Sequence, residues 1–376
     1  MNFSQEPKHS DKLHELGAQP YNAEPDIAEL VQHPYTPDEL VYSRNHCPIR
    51  ALDAATFSVK VDGRVRHERT FTLNDLKRDF RRKEVVAALQ CAGNRRKTMQ
   101  ERNGKEVEGL LWGEGTIANC KWAGVSMREL LEQVGAPPAA DERIRSLHLC
   151  FASHVVPCEN DDWFGGSIPL EKALDEGEDV LLAYEMNDRP LSPDHGFPFR
   201  VVVPGYTGAR WVKWVDQVTV ADRESENFYQ KKDYKVLPTK VQTHEMADKE
   251  DWWSKVPALQ ANPLNSAVAS VKVVRPGRLQ VKGYAVRGST GQVSEVDVSI
   301  DEGKAWEPAT IIYQEGRWSW TLWEAILDVP EVSNGRGGKV WCRAADMAGT
   351  TQQPDADWNL RGVAYDAVGE RLLDVS

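Results

Sequence analysis

The sequence predicts an α+β region followed by an all-β sandwich. Three observations carry this. Short strand-like runs mix with one or two helical segments from Phe57 to about Asp222. A charged, Trp-containing break spans Gln230–Ala261, and regularly spaced strands with almost no helical signal follow it. A chain of 376 residues is long enough for two such domains.

In chain order, residues 1–40 read as an extended N-terminal arm, because Pro20, Pro25, Pro34 and Pro37 break any helix. Phe57, Val59 and Val61 alternate with polar residues as a half-buried strand does, and Asp62-Gly63 signals a hairpin turn. Val85–Leu89 is a continuous apolar run that ends at Gln90-Cys91-Ala92-Gly93, so Cys91 sits at the mouth of a buried strand. Ser126 and Glu129 form a capping box for a helix carrying Leu130, Leu131 and Val134, which Gly135 closes. Val180–Tyr184 and Phe199–Val203 are strands flanking the polar segment Asn187–Gly196. These elements make up a first domain, residues 41–255. Beyond it, Leu279–Tyr284, Val296–Ile300, Trp318–Trp323 and Val340–Ala344 are strands, with glycine-rich turns at Gly288–Gly291 and Gly335–Gly338. That pattern predicts an antiparallel sandwich of immunoglobulin-like size over residues 256–376.

Composition narrows the function. Hydrophobic residues make up 41%, enough for an ordinary core, and no run approaches the ~20 apolar residues a membrane span needs. The N-terminus lacks an apolar signal core, which predicts an intracellular soluble protein, cytoplasmic or organellar. A net charge of −11 argues against nucleic acid and anionic membranes as partners, and it requires that any anionic substrate be drawn in by local arginines. No G-x-G-x-x-G follows a strand and no P-loop is present, so nucleotide folds lose support. The six cysteines include no C-x-x-C pair, which leaves out zinc ribbons and dithiol motifs and predicts free thiols.

The segment Leu89-Gln90-Cys91-Ala92-Gly93-Asn94-Arg95-Arg96 carries the most chemistry. Guanidinium charge beside a thiol favours the thiolate, a soft donor suited to a soft or high-valent metal. An isolated cysteine in such a place is more often a small buried hydrophobe. Cys91–Arg96, however, resembles the signature of the sulfite oxidase and eukaryotic nitrate reductase family. Further segments resemble that family in the same order, among them Ser43–His46, Gly109–Trp112, Lys121–Gly124, Leu181–Asn187, Asp194–Pro198, Lys232–Lys235 and Trp358–Gly362. The likeness spans about Tyr42 to Gly362.

The resemblance implies a sulfite-oxidase-type molybdopterin-binding domain, a molybdenum–molybdopterin cofactor, and Cys91 as the metal's protein ligand. It implies a substrate pocket of Arg44, Arg96, Arg361, Trp112 and Tyr234. Arginines suit that pocket because their planar forks meet oxyanions bidentately at any working pH. It assigns the pterin to Arg44, Asn45, His46, His195, Arg200 and Lys213, with backbone from Trp211 and Val212. One departure stands out. The family's pterin-binding aspartate has no counterpart after Leu147–Phe151, where Ser153-His154-Val155-Val156 precede Glu159, Asp161 and Asp162. The implied reaction is oxidation of sulfite to sulfate. Nitrate or other oxyanion reduction is the alternative, and Arg361 and the loop Gly115–Asn119 favour sulfite. His33-Pro34-Tyr35 is not a haem-binding motif, so neither haem nor flavin is expected, and electrons pass to dioxygen or a separate acceptor. The sandwich implies a homodimer, with Trp318, Trp320 and Trp323 candidates for either its interface or the core.

Overall fold

A computed structural model describes residues 1–329 and 338–373. The N-terminal segment departs from the irregular arm expected of it. Strands β1 (Leu13–Ala18) and β2 (Tyr21–Pro25) pair antiparallel, and a one-turn helix, α1 (Ile27–Leu30), follows. The prolines do keep helices short, but Tyr21, Ala23, Ile27 and Leu30 are buried, and that burial fixes the segment to the body.

Strand β3 (Ser58–Gly63) shows the expected alternation, yet Asp62-Gly63 ends the strand and makes no two-residue turn. Pairing with β4 (Arg69–Thr72) closes at Val61 opposite Arg69, because Val61 to Gly63 are also held on the other edge by a parallel strand. Thr72 and Asp75 form a capping box that opens α2 (Leu73–Asp79). The apolar run becomes β5 (Lys83–Gln90), followed by α3 (Arg96–Asn103) and the long β6 (Ile117–Ser126). Helix α4 (Met127–Gln133) starts where the sequence places it, but Ser126 makes no side-chain cap. Ser126 is instead the last rung of β6, opposite Leu181, and the ladder fixes it. Gly135 follows the helix at φ +72°, a conformation that favours glycine.

Next come β7 (His148–Ser153), β8 (Phe164–Pro169), α5 (Leu170–Leu174), β9 (Leu181–Met186), β10 (Arg189–Pro190), β11 (Arg200–Val202) and β12 (Gln217–Ala221). Two sheets result, the first wholly antiparallel and the second mixed through the parallel pairing of β12 with β3. One runs β10-β9-β6-β5 with β11 also on β9, and the other runs β4-β3-β12-β7-β8. A large shared core holds them together, with Trp122, Phe151, Phe199 and Trp211 all essentially inaccessible. The charged stretch after β12 contains α6 (His244–Lys249) and α7 (Trp252–Lys255). It packs Ala247 and Trp253 with Met99, Trp358 and Leu360, so it is a built joint.

The remainder is all β, as expected: β13 (Asn265–Arg275), β14 (Arg278–Val286), β15 (Val293–Ser299), β16 (Glu307–Pro308), β17 (Thr310–Gln314), β18 (Thr321–Asp328), β19 (Lys339–Asp346) and β20 (Gly369–Leu372). Sheets β13-β14-β18-β17 and β16-β15-β19-β20 enclose a core that includes Val281, Val296, Trp323 and Val340. Trp318 and Trp320 precede β18, and both are buried with Trp323 within the chain, which removes all three as interface candidates. Of the predicted turn at Gly335–Gly338, only Gly338 lies within the described residues. Arg95 joins the two regions. Wholly buried, it donates to Asn265 Oδ1 at 2.8 Å and to the Ala367 and Val368 carbonyls at 2.6 and 2.7 Å. Among the described residues no helix is long and apolar enough to cross a membrane.

Candidate active site

Strand β5 ends its ladder at Gln90 opposite Ile117, and the chain then turns to present Cys91. The Cys91 amide donates to the Thr116 carbonyl at 3.0 Å, and the Gly93 amide lies 3.4 Å from Cys91 Sγ. Burial pushes the Cys91 thiol's pKa up, and this outweighs the lowering by the Arg44 guanidinium, the Gly93 amide and Arg96. The sequence argument that neighbouring arginines favour the thiolate is therefore corrected for the bare protein. Arg95, counted there as one of those neighbours, points away into the sandwich.

Cys91 opens into a cavity that is also lined by Arg44, Asn45, His46, His195, Arg200, Trp211, Lys213 and Tyr234. Its far wall is cationic. Lys213 donates to the Asp194 carbonyl at 2.8 Å and to Asn45 Oδ1, and burial with nearby Arg200 lowers its pKa to about 7. Arg200 donates to the His195 and Trp211 carbonyls at 3.1 and 3.2 Å, while its buried Nε has no partner. His195 lies between Ser192 Oγ at 2.7 Å and the Val41 carbonyl at 3.2 Å; burial takes its pKa to about 3, so the ring is neutral. The Val212 carbonyl accepts from the Val201 amide at 2.9 Å.

Arg44 sits at the junction with a second cavity, which shares Arg44 and His46 with the first and reaches Arg361. Asn22 Oδ1 accepts from Arg44 Nη1 at 3.1 Å and from the Asn45 amide at 2.9 Å. His46 Nε2 lies 2.8 Å from the Tyr234 hydroxyl and 2.9 Å from Arg44 Nη2, and its Nδ1 is 3.2 Å from Glu159 Oε2. Burial, then Arg44 and Arg361, hold His46 well below its ordinary pKa, so it is neutral. Arg361 donates to Glu108 Oε2 at 2.8 Å and also pairs with Asp233.

Arg96 donates to the Gly362 and Leu110 carbonyls, each at 3.0 Å. A Cβ on Gly93, Gly109 or Gly362 would come within 2.8, 2.6 and 2.6 Å of its side chain, so the three glycines make room for it. Trp112 is fully buried behind Gly93 and does not reach the first cavity, and its indole N–H has no partner. The sequence reading missed Asn22, because it lay in what read as an arm. Glu159, one of the acids noted after the missing aspartate, reaches the site through His46.

Residues 46–229 match the oxidoreductase molybdopterin binding domain, and residues 255–368 match the Mo-co oxidoreductase dimerisation domain. The chain is 38% identical to the sulfite oxidase of Arabidopsis thaliana, over 96% of this chain and 93% of that protein. It belongs to the sulfite oxidase family. Mitochondrial sulfite oxidase of Drosophila melanogaster is 39% identical over 99% of this chain, which spans 65% of that longer protein. An NAD(P)H nitrate reductase of Hordeum vulgare is 35% identical over 95% of this chain and 41% of its own length. In fold, the chain matches the sulfane dehydrogenase SoxCD of Paracoccus pantotrophus with a TM-score of 0.75, at 24% identity, over 99% of this chain and 91% of that one.

Membership makes the protein an oxidoreductase with a molybdenum cofactor, and the sulfite oxidase site can be tested against that group. Among the described residues no three His, Cys, Asp or Glu side chains converge as a metal cage. Among the described residues neither buried Arg200 nor half-buried Lys213 pairs with a carboxylate, and Arg200 leaves an N–H free. Such a wall calls for a bound anion, as a pterin phosphate is. The residues fit the group.

Proposed function

We propose that this chain oxidises sulfite to sulfate, binding the substrate where the two cavities meet at Arg44. The single observation that supports the reading is the grouping of Arg44, Arg361, Cys91 and Tyr234 around Arg96, each near enough for its charge to act on that guanidinium, with Arg44 lining both cavities and Arg361 the second. When bound, molybdenum supplies oxygen-atom transfer and takes up two electrons. Cys91 would hold the metal. Asn45, His46, His195, Arg200 and Lys213, with the backbone of Trp211 and Val212, would hold the pterin.

The arginines bind and orient the oxyanion. Arg361 exchanges part of its pairing with Glu108 and Asp233 for substrate oxygens, and Arg96 holds its place between Gly109 and Gly362. Tyr234 keeps its proton, because burial raises its pKa far above neutral, and its hydroxyl can donate to a reacting oxygen or to neutral His46. Trp112 backs Gly93 as a rigid wall. Sulfite becomes a dianion as pH rises through neutrality and nitrate is always a monoanion, so the extra charge of Arg361 favours sulfite.

Residues 41–255 would carry this chemistry, and residues 256–376 would join two copies into a homodimer. Electrons would leave to dioxygen or to a separate acceptor, in a soluble intracellular enzyme. The deciding experiment assays the molybdenum-loaded protein with sulfite plus ferricyanide against nitrate plus reduced viologen. Turnover with sulfite is expected, and activity with nitrate alone overturns the reading. Cys91→Ser is expected to fold, to lose molybdenum by metal analysis and to be inactive.

A further inference from the structure

We propose that Cys47 and Cys158 form a modification site: two facing thiols beside the cofactor cavity that peroxide closes into a disulfide. Neither thiol has a part in the reaction proposed above. The Glu159 amide donates to the His46 carbonyl at 2.9 Å, and the side chains of the same two residues meet, His46 Nδ1 to Glu159 Oε2 at 3.2 Å. Cys47 follows His46 and Cys158 precedes Glu159, so the same contact brings the two thiols side by side, within hydrogen-bonding reach of each other. Thiols so placed are the starting geometry a disulfide needs.

Both thiols belong to one small apolar cluster, and Cys47 also lines the cavity. Pro157, Glu159 and Asn160 around Cys158 are exposed, which gives a small oxidant an approach from outside. The two thiols are not equivalent. The Cys158 thiol beside it, more than the Lys213 charge, lowers the pKa of Cys47, while Cys47 raises that of Cys158. Cys47, which lines the cavity with Lys213 while Cys158 does not, is assigned as the attacking sulfur and Cys158 as the resolving one.

In the first step the Cys47 thiolate attacks one oxygen of hydrogen peroxide. The O–O bond breaks, and the departing hydroxide takes up a proton to become water. In the second, Cys158 sulfur attacks the Cys47 sulfenic acid, the S–O bond breaks, and a second water leaves with the Cys158 proton. Two thiols lose two electrons and one peroxide becomes two waters. Peroxide is also what dioxygen becomes on accepting two electrons, and dioxygen is one of the acceptors proposed above. The cross-link would tie the Arg44–Cys47 segment to the loop bearing Glu159.

The test treats the metal-loaded protein with hydrogen peroxide, alkylates it while denatured, digests it and weighs the peptides. The expected product joins the Cys47 peptide to the Cys158 peptide, two hydrogens lighter than their sum, and dithiothreitol reverses it. Cys342, whose pKa burial raises to about 11, and Cys120, raised further, stay alkylated at the same dose. In C158S the joined peptide is absent and dimedone labels Cys47 as sulfenic acid. Separate alkylation of Cys47 and Cys158 after peroxide, or pairing of either with another thiol, overturns the proposal.

Discussion

At the residue scale the site is a competition between burial and charge, and Arg361 shows it most directly. Its guanidinium is already engaged by Glu108 and Asp233, so it arrives pre-oriented but costs some exchange on binding. A hydrogen bond to a charged group contributes about 1.5–3 kcal/mol. Arg361→Met should therefore raise the sulfite KM by roughly ten- to a hundredfold, read by steady-state kinetics, and an unchanged KM would remove its assigned role. Lys213 gives a pH prediction. Its folded pKa of about 7 lies below the ordinary lysine value, so between those two limits the unfolded chain holds more protons. Stability of the cofactor-free protein should then rise as pH increases from about 7 toward 10. Lys213→Met should flatten that rise in urea titrations across the range. From sequence, the cysteine and the arginines were legible through the family resemblance. Asn22 was not, because its value lies in accepting from Arg44 across a hairpin that local pattern did not reveal.

At the scale of elements, legibility followed the strength of the local signal. The run Val85–Leu89 became β5 because a continuous apolar stretch of that length has few other fates. The segment Leu13–Pro25 has no such run, and only its docking makes it a hairpin. Ser126 shows a local motif overruled, since a strand rung held the residue that the capping pattern wanted. Gly124 is the element-level counterpart of the Arg96 glycines. A Cβ there would lie 2.1 Å from the Leu182 carbonyl oxygen, inside the pairing of β6 with β9. Gly124→Ala is expected to destabilise the protein by about 1–3 kcal/mol as overpacking, seen as a lower thermal midpoint. An unchanged midpoint would mean that the two strands can part without loss.

At the scale of the whole molecule, Arg95 decides how far the two regions act as one. Removing its side chain takes a donor from buried Asn265 Oδ1 and the Val368 carbonyl, while the Ala367 carbonyl keeps its bond from Gln352. Arg95→Met should cost about 1–3 kcal/mol in urea unfolding, and Arg95→Lys should not restore it, because one ammonium cannot reach three diverging acceptors. A full-stability variant would show that the regions are held by apolar contact alone. Arg95 also adopts φ +66°, and Cys91 and Arg96 stand within the same few residues of chain. One short stretch of backbone thus carries the proposed metal anchor, a proposed substrate fork and the bolt to the neighbouring sandwich. A tug on the sandwich would travel down this lever as well as through the Gly362 carbonyl that holds Arg96, so the seat of Cys91 and the reach of Arg96 answer to the second region too.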